Sequence, residues 1–281
     1  AGTCWDTGRV TGNETLHIPY AGSPLESFTR YYWRVKLWDE RGAEWAWSDA
    51  AWFETAMMAR DDWKAPWVSP REDAAACHYV RWEIRCLKPV KRARIYASAC
   101  GVYDLLVGGE YPDRQILAPG WTSYFDHIHY QTYDVTEAFR SGSAVVGAIL
   151  GDGWYKGRYG LDLTRNNYGS RRALRLQLEL WYEDGGRETV CADAGWRCST
   201  GPILSSELYD GEVYDARLEL DGWDREGYDD SRWETMEEIC PPRLGRLSAQ
   251  PNEPIRPAGE IHPAAVFRTP NGDTLLDMGQ N

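Results

Sequence analysis

Between Ala173 and Tyr182 leucine recurs at every second position, and this alternation limits the possible folds more than any other feature of the chain. Leu174, Leu176, Leu178 and Leu180 line one face of an extended segment; Arg175, Gln177 and Glu179 line the other. A period of two belongs to a strand with one face turned to a core. The segment runs into Asp184-Gly185-Gly186, a turn, and then into a second extended run, so it predicts a hairpin. Residues 91–110 read as a strand, a glycine break at Gly101, a second strand and a Gly-Gly turn. Residues 143–150, SAVVGAIL, are a continuous apolar strand, expected to be buried on both faces. Helix signals are few: residues 134–142 offer one short turn, with Thr136 to cap it and Gly142 to end it. Many short strands with glycine-rich turns predict an all-β chain built from sandwiches or a jelly roll.

Four stretches follow from the same signals. Residues 1–58 hold an alternating run, 31–42, with Tyr31, Trp33, Val35 and Leu37 on one side and Tyr32, Arg34, Lys36 and Trp38 on the other. With WSDAAWFET after it, this resembles part of a fibronectin-III-like sandwich, which should expose an edge and apolar surface. Residues 59–70, with prolines at 66 and 70, read as a linker. Residues 71–243 form the main jelly-roll sandwich. Residues 244–281 are proline-rich and expected to be an extended crossing segment, ending in TLLDMGQN as the first strand of a further β-sandwich. Incomplete modules at both ends lead to the expectation that the chain is a fragment.

The net charge of −12 argues against nucleic acid as a partner, and no run of 18 apolar residues exists to cross a membrane as a helix. Seven cysteines at irregular spacing contain no Cys-x-x-Cys pair, which suits free thiols in a reducing, cytoplasmic compartment rather than a secreted disulfide framework. His127 and His129 share a strand face but have no third ligand in the pattern, which fits packing or surface groups. The 15 Trp and 17 Tyr against only 5 Phe favour surfaces that are half buried and half polar.

The stretch GAILGDGWYKGRYG, residues 147–160, sets Asp152 between two glycines at the end of an apolar strand. It is either a sugar-contacting loop or a tight corner in which Asp152 caps backbone N–H groups and Trp154 plugs the sandwich end. Trp121 offers a platform for a sugar ring; Tyr155 and Arg158 complete the set of carbohydrate-facing candidates. In YDGEVYDAR, Asp210 and Glu212 share a face at strand spacing, and Arg217 offers an ion partner nearby. Asp210, Glu212, Asp215 and Arg217 are therefore read as domain-docking residues rather than an acid/base pair. Arg165, Arg171, Arg172 and Arg175 form either a solvated face or a contact with acidic strands.

In this order and spacing, ASACGVYDLLVGG, LAPGWTSY, YQTYDVT, GDGWYKGRYG, GPILSSELYDGEVYDAR and GWDREGYDDSRW resemble the N-terminal accessory region of bacterial α-L-rhamnosidases, glycoside hydrolase family 78. The resemblance covers nearly the whole chain. It implies a galactose-binding-like jelly roll and a parent enzyme that acts on rhamnose-containing glycans. Inverting hydrolysis there uses two carboxylates about 6.5–9.5 Å apart, carried by a downstream (α/α)6 barrel. No catalytic residue is then expected in this chain, and its partners are that barrel and carbohydrate. Some members bind rhamnose through calcium, with an Asp-Asn pair preceding the strand that here reads VYDLLVGG. Cys100 and Gly101 occupy that place, so no metal or other cofactor is expected. The readings left open are an inert scaffold for the barrel, a weak sugar-binding module, and an enzyme in its own right.

Overall fold

The computed structural model describes residues 3–158, 160 and 162–280. They fall into two compact units, Ala1–Lys64 and Ala65–Asn281.

In the first unit β1 (Arg30–Trp33) pairs antiparallel with β2 (Ala51–Glu54), Tyr31 opposite Phe53 and Tyr32 opposite Trp52. The alternating run was expected to continue as strand to Trp38 and close in an acidic, glycine-containing turn; the turn is there, with Gly42 N–H donating to Asp39 O at 2.9 Å, but regular pairing stops at Trp33. The Ser48 hydroxyl accepts the Val35 N–H at 3.0 Å, so a side chain replaces a ladder carbonyl. Beyond it the chains still meet, Trp45 N–H donating to Leu37 O at 2.9 Å and Trp38 bridging Glu44. Cations lie over the tryptophans on one side: Arg30 is 4.0 Å from the Trp52 ring centre and Arg34 is 4.5 Å from that of Trp47. On the other side Trp33, Val35 and Leu37 are exposed, the apolar surface expected of a partial sandwich.

The second unit begins with β3 (Trp67–Ser69), inside the stretch expected to be linker; it is fully buried and pairs with two strands. Then follow β4 (His78–Arg85), β5 (Val90–Cys100), β6 (Val102–Val107), β7 (His127–Asp134), β8 (Ser143–Gly151) and a one-turn helix α1 (Gly153–Lys156). After these come β9 (Ala173–Tyr182), β10 (Arg187–Cys191), β11 (Arg197–Thr200), β12 (Ile203–Glu207), β13 (Gly211–Tyr214), β14 (Glu234–Thr235), β15 (Glu237–Ile239) and β16 (Arg246–Ala249). A hairpin of β17 (Ala265–Arg268) and β18 (Thr274–Asp277) closes the series.

One sheet runs β15-β3-β9-β5-β7-β16, with β10 also on β9; the other runs β14-β11-β4-β8-β6. The core lies between them: Leu174, Leu176, Leu178 and Leu180 meet Val80, Tyr103, Leu105, Val146 and Leu150. The second face of β9 is covered over its middle, where Gln177 and Glu179 are also fully buried. Glu179 is tolerated there because Arg187, Thr189 and Gln177 all donate to it, at 2.6–3.0 Å.

β8 is buried on both faces, as its unbroken apolar run predicts. Its outer face is covered by the segment GWDREGYDDSRW, whose Trp223 and Trp233 pack with Tyr79 and Leu106. The buried Arg81 clamps this segment: Nε donates to Trp223 O at 2.7 Å, a terminal nitrogen to Arg225 O at 3.1 Å, and the guanidinium pairs with Asp230. Two expectations for the C-terminal stretch change. Residues 246–249 are not merely a crossing segment but β16, parallel to β7 and so part of the sandwich. TLLDMGQN supplies β18, already paired with β17 rather than standing as a first strand; Asn281 lies outside the described residues.

Candidate functional site

The corner after β8 is built by its glycines. Gly153 has φ +52°, and a Cβ there would come within 2.5 Å of Val102 Cγ1, so only glycine turns the chain at that point. α1 then closes with Lys156 N–H donating to Asp152 O at 3.2 Å and Gly157 N–H to Gly153 O at 3.0 Å. This turn places Lys156 four residues after Asp152, on the same side.

Asp152 is 4% exposed and its side chain caps no backbone N–H, contrary to the expected turn role. Cations enclose it instead. Arg172 Nε approaches Oδ1 at 3.2 Å, Lys156 Nζ the same oxygen at 3.3 Å, and Arg165 reaches Oδ2 at 2.8 Å. The network extends outward: Lys156 pairs with Asp73 at 2.7 Å, and Arg165 pairs with Glu207. Glu207 also accepts the Arg158 N–H at 2.9 Å, and the Arg158 guanidinium pairs with Asp210. Arg172 further donates to Leu150 O at 3.1 Å and to Ala74 O. Under this network lies His78, buried, with Nδ1 making no hydrogen bond among the described residues. Burial and then Arg172 push its imidazole down to about 4, with Asp73 opposing and Lys156 assisting.

The four carbohydrate-facing candidates therefore separate. Trp121 is 58% exposed and stacks on Trp154, ring centres 6.1 Å apart and planes 3° from parallel. Its loop is fixed by Tyr124 Oη donating to Gly120 O at 2.8 Å and Thr122 Oγ1 donating to His127 O at 2.7 Å. Tyr155 is buried, edge-on to Tyr124 at 5.4 Å, with its phenol pushed up by burial; it is a core residue, not a surface contact. Asp152 is likewise an internal anion, its oxygens taken by cations. Arg158 is a strut between Glu207 and Asp210.

The docking candidates lie around the β12–β13 hairpin. Asp210 sits in the connecting turn, so it does not share a strand face with Glu212, which is exposed opposite Ser206. Arg217, expected to pair with Asp210 or Glu212, instead donates three bonds to its near neighbour Asp215, at 2.6, 2.8 and 3.1 Å. Tyr209, Val213 and Tyr214 are exposed on the same hairpin. Three of the four clustered arginines, Arg165, Arg171 and Arg172, meet carboxylates: Arg171 pairs with Glu237 at 2.5 Å. Arg175 instead donates to Ala65 O at 2.8 Å.

The sequence reading missed Glu207, Asp73 and His78. The signal for the network was Asp152 with a lysine at the fourth position after it, directly behind a buried strand. Cys100 is buried beside Tyr155, its thiol pushed up to about 12 by burial. Among the described residues no group of three or more His, Cys, Asp or Glu side chains converges as metal ligands would. Asp104, on β6, is pushed above the ordinary carboxyl range by burial and by Glu212.

The family described as alpha-L-rhamnosidase N-terminal domain matches residues 88–258, and that described as Rha78A-like, N-terminal immunoglobulin domain matches residues 1–59. An alpha-L-rhamnosidase of Streptomyces avermitilis is 36% identical over 96% of this chain and 28% of its own length. One from Formosa agariphila is 31% identical over 99% of this chain and 32% of its own length. The solved alpha-L-rhamnosidase of Dictyoglumus thermophilum superposes with a TM-score of 0.90 at 33% identity, covering 100% of this chain and 32% of that one. That of Aspergillus terreus gives 0.84 at 36% identity, covering 92% and 31%. The chain thus spans about a third of the length of these relatives.

Proposed function

The chain belongs to the alpha-L-rhamnosidase N-terminal domain family, and from that premise we propose that it is the non-catalytic β-region of an α-L-rhamnosidase. Its work is to pack against and shape a catalytic barrel that hydrolyses terminal α-L-rhamnosides. What supports this most is the condition of its carboxylates. Asp152, Glu207, Asp210 and Asp215 each pair with a cation. Such ion pairs occupy the carboxylate oxygens and fix loops, whereas a glycosidase needs two carboxyl groups left free to flank the glycosidic bond. Incubation of the chain with a chromogenic α-L-rhamnoside is expected to release nothing above buffer. Steady turnover that tracks the protein overturns the reading.

A second reading, that the sandwich also holds carbohydrate, draws on Trp121. An exposed indole backed by a parallel Trp154 is a rigid apolar plate of the kind that packs on a sugar ring. Titration with L-rhamnose, with and without calcium, should quench or shift tryptophan fluorescence at millimolar sugar, and Trp121→Ala should abolish the change. A flat signal in the unsubstituted chain removes this reading and leaves the first untouched.

A further inference from the structure

We propose that His127 and His129 form a two-ligand site for a borderline-soft divalent metal ion such as Cu2+, Ni2+ or Zn2+, with solvent or an incoming ligand filling the remaining positions. The two residues are two apart on β7 and so project from the same face. Their ring centres lie 5.3 Å apart, with planes at 51°. A metal about 2.0–2.1 Å from one nitrogen of each imidazole sits about 3.2 Å from each ring centre. Two rings at that distance stand about 5.3 Å apart when the angle at the metal is about 110°, the tetrahedral value. The observed separation is one that chelation by both rings allows.

The backbone holds this spacing. β16 pairs in parallel with β7, setting Arg246 opposite His127 and Ser248 opposite His129. Thr122 Oγ1 and Ser98 Oγ donate to the carbonyls of His127 and His129, both at 2.7 Å. The imidazoles themselves make no hydrogen bond to any described residue. Gln131, next on the same face, differs: it accepts from Tyr103 at 2.8 Å and donates to Pro119 O and Gln250. Both rings are partly exposed, so an ion has access. No third protein ligand converges among the described residues, so the site is open and exchangeable rather than closed and structural.

The test is titration of the whole chain, its exposed Cys4 and Cys240 first alkylated, with Cu2+, Ni2+ and Zn2+ in a non-chelating buffer, followed by calorimetry and by the imidazole NMR resonances. One ion is expected to bind, Cu2+ most tightly, with the signals of His127 and His129 perturbed before those of His17 and His262. His127→Asn and His129→Asn should each weaken binding at least about tenfold, since each removes the chelate partner of the other; His262→Asn should not. The proposal fails if the chain takes up no ion, if both substitutions leave uptake unchanged, or if Cu2+ first broadens resonances of other histidines. The last readout uses the unsubstituted chain and holds even where a variant misfolds.

Discussion

At the scale of single residues, Asp152 and His78 divide the work of the corner. Asp152 is the anion on which Arg172, Lys156 and Arg165 converge. Removing its charge leaves buried cations facing one another, so Asp152→Asn is expected to destabilise the second unit by about 3–5 kcal/mol, read from urea unfolding followed by tryptophan fluorescence. A loss under 1 kcal/mol would mean that solvent already screens the network. His78 makes the opposite demand, because it is buried neutral beside cations. With its folded value lowered to about 4, the unfolded chain binds the proton more readily, and stability present above about pH 6.5 is lost as pH falls toward 4. The shift corresponds to roughly 3 kcal/mol over that window. His78→Gln should flatten the pH dependence of unfolding between 6.5 and 4 relative to the unsubstituted chain; parallel curves would show that His78 does not bear the load. The role of His78 was not legible beforehand, and that of Asp152 only in part. Asp152 stood out by its place between glycines, but which groups meet it depends on Arg165 and Arg172, distant in sequence and brought in by the return of the chain into β9.

At the scale of elements, β8 shows how far a pattern reaches. Its unbroken apolar run announces burial on both faces, yet gives no hint of what lies on the outer one. Trp223 does, and it lies so close that a Cβ on Gly147 would sit 2.8 Å from its ring. Gly147→Ala should therefore push the Trp223 segment off the sheet at a cost of about 1–3 kcal/mol, seen as a changed near-ultraviolet circular dichroism spectrum and faster proteolysis within residues 218–233. An unchanged spectrum would mean that the indole shifts without loss. β9 carries the complementary lesson. Its leucine alternation set the inner face, and Asp184-Gly185-Gly186 set the hairpin. On its other, polar face Gln177 and Glu179 are buried in a closed hydrogen-bond set that includes Arg187 and Thr189 from β10. Polar residues at period two report which face is not the core; they do not report whether another polar layer covers it.

For the molecule as a whole, the cysteines give a direct check on the two sheets. All seven are free; Cys4 and Cys240 are exposed, while Cys77, Cys100 and Cys198 are buried with thiols pushed up to about 11, about 12 and about 11 by desolvation. A thiol reagent should modify Cys4 and Cys240 first in the native chain, and reach the buried three only on unfolding. Rapid native labelling of Cys100 would contradict the packing of the corner. The fibronectin-III-like character expected of the first unit and the immunoglobulin family that matches it share sandwich architecture, so the strand pattern could mark the class without separating the two. Strand periodicity, turn chemistry and the order of long motifs are local properties, and they were enough to establish an all-β chain of this family. Pairing partners are not local. That residues 246–249 join the sandwich through parallel pairing with β7, that Trp67–Ser69 is strand rather than linker, and that Asp152 is closed off while Trp121 stays open were settled only where distant segments met. A carboxylate or an indole has the same chemistry in either setting, and the charges and surfaces packed around it determine which part of that chemistry it can express.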